Sequence, residues 1–236
     1  MPDYAQDLAK GLKRYALAVP EEPRDQFLAL YLAALWDADA DEGARVVSEA
    51  MKTGWSAAAV YEDLFAAALY EVGEWWAEES CRVADEHGAR VITERLMASL
   101  SASVERHPSK GRGIVIACVE DERHELGARM VADMFVWDGW TVRLLGGDTP
   151  AAELVVEARR RRADAVGLSA TMQPSWEAVR SQIAALRAAG VNTVIIGGQA
   201  FRSVGPDVVA ALGADAKADR ALLGVELASR LVGRRA

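Results

Sequence analysis

The stretch Glu120-Asp121-Glu122-Arg123-His124-Glu125-Leu126-Gly127 separates an apolar run over residues 114–119 from an amphipathic run over residues 126–135. The first run is typical of a buried strand, and the second has the three- and four-residue spacing of a helix. The pattern predicts a strand, a polar loop and a helix in succession, as in an open α/β sheet. Ligands bind such sheets at the carboxyl ends of the strands. His124 stands in that loop and is therefore a candidate ligand-binding residue.

Glu122 lies two residues before His124 and can accept a hydrogen bond from one nitrogen of its ring. Such a bond fixes the tautomer and makes the other ring nitrogen a better metal ligand. The spacing therefore predicts that the carboxylate binds one ring nitrogen of the imidazole and that the other ring nitrogen binds a metal. A surface histidine in a charged loop is the alternative that this pair by itself leaves open.

The composition indicates a globular protein with one large or two modest domains, since the chain has 236 residues of which 51% are apolar. Its formal net charge of -8 argues against a general affinity for nucleic acid or anionic membranes. No run is long and apolar enough to cross a bilayer, and the N-terminus lacks the pattern of a signal peptide. We therefore expect a cytoplasmic protein, in which Cys81 and Cys118 are free thiols.

Residues 1–106 show helical spacing of apolar side chains throughout, with no convincing alternating strand. Ser56 and Ser80 are good N-cap residues for the two longest helices. We predict a bundle of four or five antiparallel helices with short connections. The predicted helices cover residues 7–17, 24–37, 40–53, 56–79 and 81–103.

A polar segment with a proline and glycines over residues 107–112 predicts a linker between two domains. From 113 to 236, short apolar runs alternate with amphipathic ones, which predicts parallel strands joined by helical crossovers. The expected fold is a flavodoxin-like, or Rossmann-like, five-stranded parallel sheet. No G-x-G-x-x-G or P-loop pattern is present, so a nucleotide site has little support. The predicted strands cover residues 113–119, 141–145, 165–169, 193–196 and 214–216.

Three further loops are predicted at the same sheet edge as His124, over residues 146–150, 169–171 and 197–199. Paired glycines allow a ligand to approach the backbone closely, and the Ser169 hydroxyl can donate to a buried acceptor. Each loop alone is better explained by the needs of a turn, because βα loops use glycine and hydroxyl residues for turns in any case. Their placement at one edge favours a binding site for a large ligand.

The residues of these loops resemble the cobalamin-binding signature D-x-H-x-x-G, S-x-L/T and GG, shared by methionine synthase and the mutases. Here the set reads Glu122-x-His124-x-x-Gly127, Ser169-x-Thr171 and Gly197-Gly198. The resemblance implies that His124 displaces the dimethylbenzimidazole base of cobalamin and becomes the lower ligand of cobalt. Glu122 departs from the usual aspartate by one additional methylene, and its carboxylate can still accept a hydrogen bond from His124.

The helical half resembles CarH-type light-sensing cobalamin proteins, because Trp76 is followed after nine residues by Glu86-His87, as in their W-x9-EH motif. The segments 122–127, 145–150 and 197–199 also resemble that family, and the glutamate at 122 is one of its traits. The resemblance covers nearly all of residues 25–235. It implies a helical bundle ahead of a cobalamin-binding domain, with adenosylcobalamin as the cofactor.

Val83 and His87 are four residues apart and so share a helix face, while Trp76 ends the preceding helix. The resemblance implies that Trp76 packs against the upper adenosyl group, that Glu86 contacts its ribose or orients His87, and that His87 ligates cobalt after light releases the group. A core tryptophan and a surface histidine are the alternatives. The implied cofactor-binding set is Trp76, Val83, Glu86, His87, Glu122, Arg123, His124, Glu125, Leu126, Gly127, Asp148, Thr149, Ser169, Thr171, Gly197, Gly198 and Gln199.

The leading interpretation is therefore a cobalamin-binding light sensor rather than an enzyme. One alternative is a corrinoid carrier for methyl transfer, and another is a two-pigment sensor that also binds a bilin such as biliverdin. Nothing before residue 25 is long or basic enough for a DNA-binding domain, so we expect no direct DNA binding. The expected output is self-association, as a dimer or larger homo-oligomer, or contact with a separate signalling partner, without a membrane.

Overall fold

The protein is described by a computed structural model over residues 23–233, so the predicted helix over 7–17 lies outside the described residues. The chain divides into two compact units between Val104 and Glu105. The sequence places the end of the bundle at residue 106.

The first unit is a helical bundle whose core is rich in aromatic side chains. Tyr31, Tyr61 and Phe65 are fully buried, and the ring of Phe65 lies 5.4 Å from that of Tyr31 and 5.7 Å from that of Tyr61. The Tyr61 hydroxyl donates to the carbonyl of Met97 at 3.0 Å, which satisfies its polar atom inside the core. The helical segments are α1 Pro23–Trp36, α2 Ala40–Lys52, α3 Ala57–Ala59, a π-helix Val60–Phe65, α4 Ala66–Ala77 and α5 Val83–Ser103.

The predicted long helix over 56–79 is a continuous helical run that begins as expected, since the Ser56 side chain accepts a hydrogen bond from the N–H of Ala59 at 3.1 Å. Its second segment is a π-helix, Val60–Phe65, which the sequence did not predict. Apolar spacing over six residues cannot distinguish an α-turn from the wider π-turn, because both place residues four apart close to one face.

The predicted start of the last bundle helix is wrong. α5 begins at Val83 rather than Cys81, and its N-cap residue is Arg82 rather than Ser80. The carboxylate of Asp85 accepts from the backbone N–H of Arg82 at 3.0 Å and from its guanidinium at 2.9 Å. An acidic residue in the first turn therefore closes the helix end, and this contact outweighs the capping tendency of a serine.

The second unit is a five-stranded sheet in the order β2-β1-β3-β4-β5, with every neighbouring pair parallel. This confirms the predicted flavodoxin-like fold. The sequence missed the short helix α9 and placed the last strand two residues early. The elements are β1 Gly113–Cys118, α6 Leu126–Trp137, β2 Thr141–Gly146, α7 Ala151–Arg161, β3 Ala165–Ser169, α8 Trp176–Ala188, β4 Val194–Gly197, a 3-10 turn Gln199–Phe201, α9 Pro206–Leu212, β5 Ala216–Ala218 and α10 Ala221–Gly233.

The sheet core is formed by the strands and by the apolar faces of the helices that cover them. Val115, Ala117, Val166 and Val194 are fully buried, as expected of strands covered on both faces. Cys118, at the end of β1, is also fully buried, and burial raises the pKa of its thiol to about 12. Over residues 23–233, none of the helices has the length and apolar character that a membrane span requires.

Candidate functional site

The strand order changes direction at β1, which lies between β2 and β3. The parallel register pairs Ala117 with Gly146, Cys118 with Ser169, and Ser169 with Gly197. The loops that follow β1, β2, β3 and β4 therefore begin along one edge of the sheet. A crevice at such a switch point is where open α/β sheets bind their ligands.

The His124 ring is held by the side chain of Glu122. Glu122 Oε1 lies 2.6 Å from His124 Nδ1 and accepts from the backbone N–H of the same residue at 2.7 Å. An ionised carboxylate can only accept, so Nδ1 donates this bond, and in the neutral ring Nε2 then carries the lone pair. The His124 side chain is 60% exposed, which leaves Nε2 free to bind a metal.

The second carboxylate oxygen of Glu122 binds the loop after β3. Glu122 Oε2 accepts from the backbone N–H groups of Thr171 at 2.6 Å and of Met172 at 2.8 Å. Burial opposes ionisation of this carboxyl, but the backbone hydrogen bonds from His124, Met172 and Thr171 outweigh it and lower the pKa of Glu122 below its usual value. Glu122 is therefore a buried, ionised residue that joins the loop of His124 to the neighbouring loop.

The loop after β2 is tied to the loop of His124 by backbone N–H groups that donate to one carbonyl and two carboxylates. Asp148 N–H donates to the carbonyl of Glu122 at 2.6 Å, and Asp148 Oδ1 accepts from the N–H of Asp121 at 2.9 Å. Gly147 N–H donates to Glu125 Oε2 at 3.2 Å. Asp148 and Glu125, both predicted to contact a cofactor, thus also fix the two loops against each other.

The glycines of the predicted site fall into two kinds. Gly198 has a φ of +106°, and a Cβ there would lie 2.3 Å from the carbonyl oxygen of Ala170, so this glycine is required by the packing of the β3 and β4 loops. A Cβ on Gly197 would lie 3.0 Å from the carbonyl oxygen of Ala218. Gly127, in contrast, has open space where a Cβ would stand. No neighbouring group therefore requires a glycine at position 127.

The remaining predicted residues of the sheet unit differ in exposure. Leu126 and Thr149 are buried, and the Thr149 hydroxyl donates to the carbonyl of Gly146 at 3.1 Å. Arg123 is exposed, and Ser169 and Gln199 are partly buried.

Sequence reasoning missed two contributors to the site. Met172 supplies a backbone N–H, which leaves no trace in the choice of side chain. Gln182 is a fully buried polar residue whose Nε2 donates to the carbonyl of Thr149 at 2.9 Å. A glutamine on the apolar face of a predicted helix was the signal that could have identified it.

The predicted residues of the bundle lie at the junction of α4 and α5. Trp76 is 50% exposed and Val83 is 52% exposed, so Trp76 is not a core residue of the bundle. The His87 side chain is 62% exposed, and its Nε2 lies 3.4 Å from Glu86 Oε2. Trp75 is partly buried, with its ring 5.5 Å from that of Trp36.

Comparison with known proteins identifies the family. Two family models, each described as a B12 binding domain, match residues 28–101 and 112–225. Dimethylamine corrinoid protein 1 of Methanosarcina acetivorans is 32% identical over 168 residues, which are 70% of this chain and 75% of the relative. The chain belongs to the B12-binding protein family.

A transcriptional repressor and a solved corrinoid protein structure are also similar to this B12-binding protein. The HTH-type transcriptional repressor CarH of Myxococcus xanthus is 34% identical over 147 residues, which are 61% of this chain and 48% of the repressor. The chain thus matches about half the length of that relative. The structure of the monomethylamine corrinoid protein of Methanosarcina barkeri has the same fold, with a TM-score of 0.74 at 18% identity over 88% of this chain and 99% of the other.

The donor set of the sheet unit fits a cobalt corrinoid. His124 would hold the cobalt of such a group through its ring, because its side chain is 60% exposed and an ionised carboxylate binds Nδ1 on the other side of the ring. Within residues 23–233, there is no group of three or more His, Cys, Asp or Glu residues able to hold a metal ion.

Proposed function

We propose that this B12-binding protein is a light sensor that uses adenosylcobalamin and signals through a change in the ligation of cobalt and in domain packing. When bound, that cofactor supplies a cobalt–carbon bond that light can break. The observation that carries the proposal is the exposed surface at the α4–α5 junction, where Trp76, Val83 and His87 are each at least half exposed. The similarity to CarH over residues of both units supports it.

In this proposal His124 is the permanent lower ligand. Its ring is oriented by Glu122 before any cofactor arrives, so little rotational freedom is lost on binding. The buried, ionised carboxylate also makes the imidazole a stronger donor, as a hydrogen-bonded carboxylate does for metal-bound histidines in general.

His87 is proposed as the conditional upper ligand. Its ring is largely exposed and has Glu86, at 3.4 Å, as its neighbour rather than a buried clamp. Such a side chain can reach a new partner without breaking a network. Trp76 and Val83 offer the apolar surface against which the adenosyl group would pack, and they would exclude water from it.

The light-sensing role is tested by reconstituting the full chain with adenosylcobalamin in the dark and recording its absorption before and after green light. We expect a lasting spectrum that differs from that of illuminated free cofactor and that is lost in His87→Ala. His107→Ala is the matched control, because His107 is an exposed histidine outside both predicted ligand positions. A His87→Ala product with the wild-type spectrum would show that the upper ligand is wrongly assigned.

A corrinoid carrier for methyl transfer is the second candidate function. It is favoured by the dimethylamine corrinoid proteins among the relatives and by the shared fold with the monomethylamine corrinoid protein. A carrier needs the upper side of cobalt open to a partner enzyme. Preference for methylcobalamin, with transfer of its methyl group to a partner and no lasting light response, would select this function over the sensor.

The proposed output of the sensor is a change in self-association or in binding to a separate partner. Sedimentation of the reconstituted protein in darkness and after illumination tests the change in self-association.

A red-shifted absorption from copurified pigment would instead indicate the two-pigment sensor with a bilin such as biliverdin.

A further inference from the structure

Gln182 is a polar residue on the buried face of α8, where its neighbours along the helix are Val179, Ile183 and Leu186. All four side chains are at most 1% exposed. A carboxamide in such surroundings is unfavourable unless both its oxygen and its nitrogen find partners. The hydrogen-bond partners of the Gln182 amide therefore indicate why a glutamine occupies this buried position.

The two ends of the Gln182 amide bind two different loops of the site. Its Oε1 accepts from the backbone N–H of Glu120 at 3.4 Å, at the start of the loop that carries His124. Its Nε2 donates to the carbonyl of Thr149 at 2.9 Å, in the loop after β2. Thr149 is itself 5% exposed, so its carbonyl would lose its partner in a buried place if the glutamine were removed.

The same two loops are joined at the edge of the sheet by a second set of bonds. Asp148 N–H donates to the Glu122 carbonyl at 2.6 Å, and Asp121 N–H donates to Asp148 Oδ1 at 2.9 Å. Gln182 holds these loops together from the helix beneath, and Glu122 in turn holds the His124 ring. The contacts form a continuous path from α8 to the proposed cobalt ligand.

We propose that Gln182 is a positioning residue of the cobalamin site, which fixes the loop of His124 against the loop of Asp148 and so presents His124 for ligation. This role applies to the light sensor and to the methyl carrier alike, because it concerns how cobalamin is held and not what is done with it. It rests on cobalamin binding through His124.

Two substitutions separate the contributions of the two hydrogen bonds made by the Gln182 amide. Gln182→Leu removes both hydrogen bonds while keeping a side chain of similar size. Gln182→Glu keeps an acceptor for the Glu120 N–H but has no donor for the Thr149 carbonyl when ionised. Leu186→Val is the matched control, since Leu186 is fully buried on the same helix face and its truncation lowers folding stability without removing a side-chain hydrogen bond.

The test uses the full chain labelled with nitrogen-15, titrated with hydroxocobalamin and then reduced to cobalt(II) for EPR. A nitrogen-15 ligand from the protein splits the cobalt(II) lines into doublets, whereas the nitrogen-14 base of the cofactor splits them into triplets. We expect Gln182→Leu to weaken binding about tenfold, at the lower end of what outer-shell partners of metal ligands contribute, and to shift signal from doublet to triplet. Leu186→Val should stay within about twofold of wild type in affinity.

The proposal is overturned if Gln182→Leu binds like wild type with the doublet intact, or if Leu186→Val at equal folding stability loses as much affinity. Should Gln182→Leu fail to fold, Gln182→Glu takes its place with the same two readouts. Amide exchange without cofactor gives an independent measure, in which the Asp148 N–H should exchange faster in either Gln182 variant. If wild-type protein shows no doublet, ligation by His124 fails, whereas a wild-type doublet retained in the variants overturns only the role of Gln182.

Discussion

His124 and His87 have nearly the same exposure, 60% and 62% of the side chain, yet they are held very differently. The ring of His124 is bound at 2.6 Å by a buried carboxylate that takes three further hydrogen bonds from the backbone. The ring of His87 lies 3.4 Å from the neighbouring Glu86 on an exposed turn of helix. Both rings are thus accessible to a cofactor. They differ in how they are held: Glu122 fixes the His124 ring before a cofactor binds, whereas the His87 ring can still move to reach the metal.

Replacement of His124 should have the largest effect. In His124→Ala, made together with His87→Ala so that neither proposed ligand remains, the EPR doublet of nitrogen-15-labelled protein should disappear. Affinity for hydroxocobalamin should fall by about 100-fold or more relative to His87→Ala. His107→Ala should leave both unchanged, since it removes an exposed histidine of the same unit. If the variant without His124 keeps the doublet, the ligand is another side chain, and His124 is not the ligand that Glu122 holds in place for cobalt.

The length of the Glu122 side chain should have the next largest effect. Its two oxygens reach His124 on one side and the N–H groups of Thr171 and Met172 on the other, and Glu122→Asp keeps the charge but shortens this reach. We expect affinity for hydroxocobalamin to fall roughly 10- to 100-fold. We also expect unfolding by urea to be easier by about 1–3 kcal/mol, because buried backbone donors lose their acceptor.

Glu122→Gln is the companion variant, since it keeps the length and removes the charge. A smaller loss in Glu122→Gln than in Glu122→Asp would show that reach matters more than charge. Wild-type affinity in both variants would contradict the view that His124 depends on this clamp.

The strands, their parallel order and the pairing of Glu122 with His124 could be predicted from sequence, because apolar alternation and residue spacing express them directly. The reach of Glu122 to Thr171 and Met172 could not, since backbone N–H groups are present in every residue and carry no pattern. The aspartate of the related signature made the glutamate look like a departure. The structure shows instead that the oxygens of the longer side chain bind both His124 and the loop after β3.

The bundle was harder to predict than the sheet. Helical spacing identified its segments but missed the π-turn Val60–Phe65, and the serine at 80 suggested a helix start that the Arg82 and Asp85 contacts move to Val83. Gln182 was missed for a related reason. Its function depends on which loops lie above α8, and that is a property of the folded sheet.

Substitution of Gly198 and Gly127 should have effects of intermediate size on the free energy of unfolding. Gly198→Ala places a Cβ 2.3 Å from a backbone oxygen at a φ of +106°, so we expect a loss of about 1–3 kcal/mol in the free energy of unfolding. Gly127→Ala meets open space in the first turn of α6 and should stabilise the protein without cofactor by about 0.5–1 kcal/mol. Urea unfolding of both variants checks these values, and equal losses would contradict the assignment of Gly127 to an open position.

Replacement of His87 should have the smallest effect in the dark. The ring makes no buried contact, so His87→Ala should change the free energy of unfolding by no more than about 0.5 kcal/mol and dark affinity for adenosylcobalamin by less than about twofold. Equilibrium dialysis under dim red light measures the affinity. If His87→Ala weakens dark binding as strongly as Glu122→Asp does, His87 already contacts the cofactor before illumination. The weakly held ring of His87 would then not indicate a ligand that binds only after light.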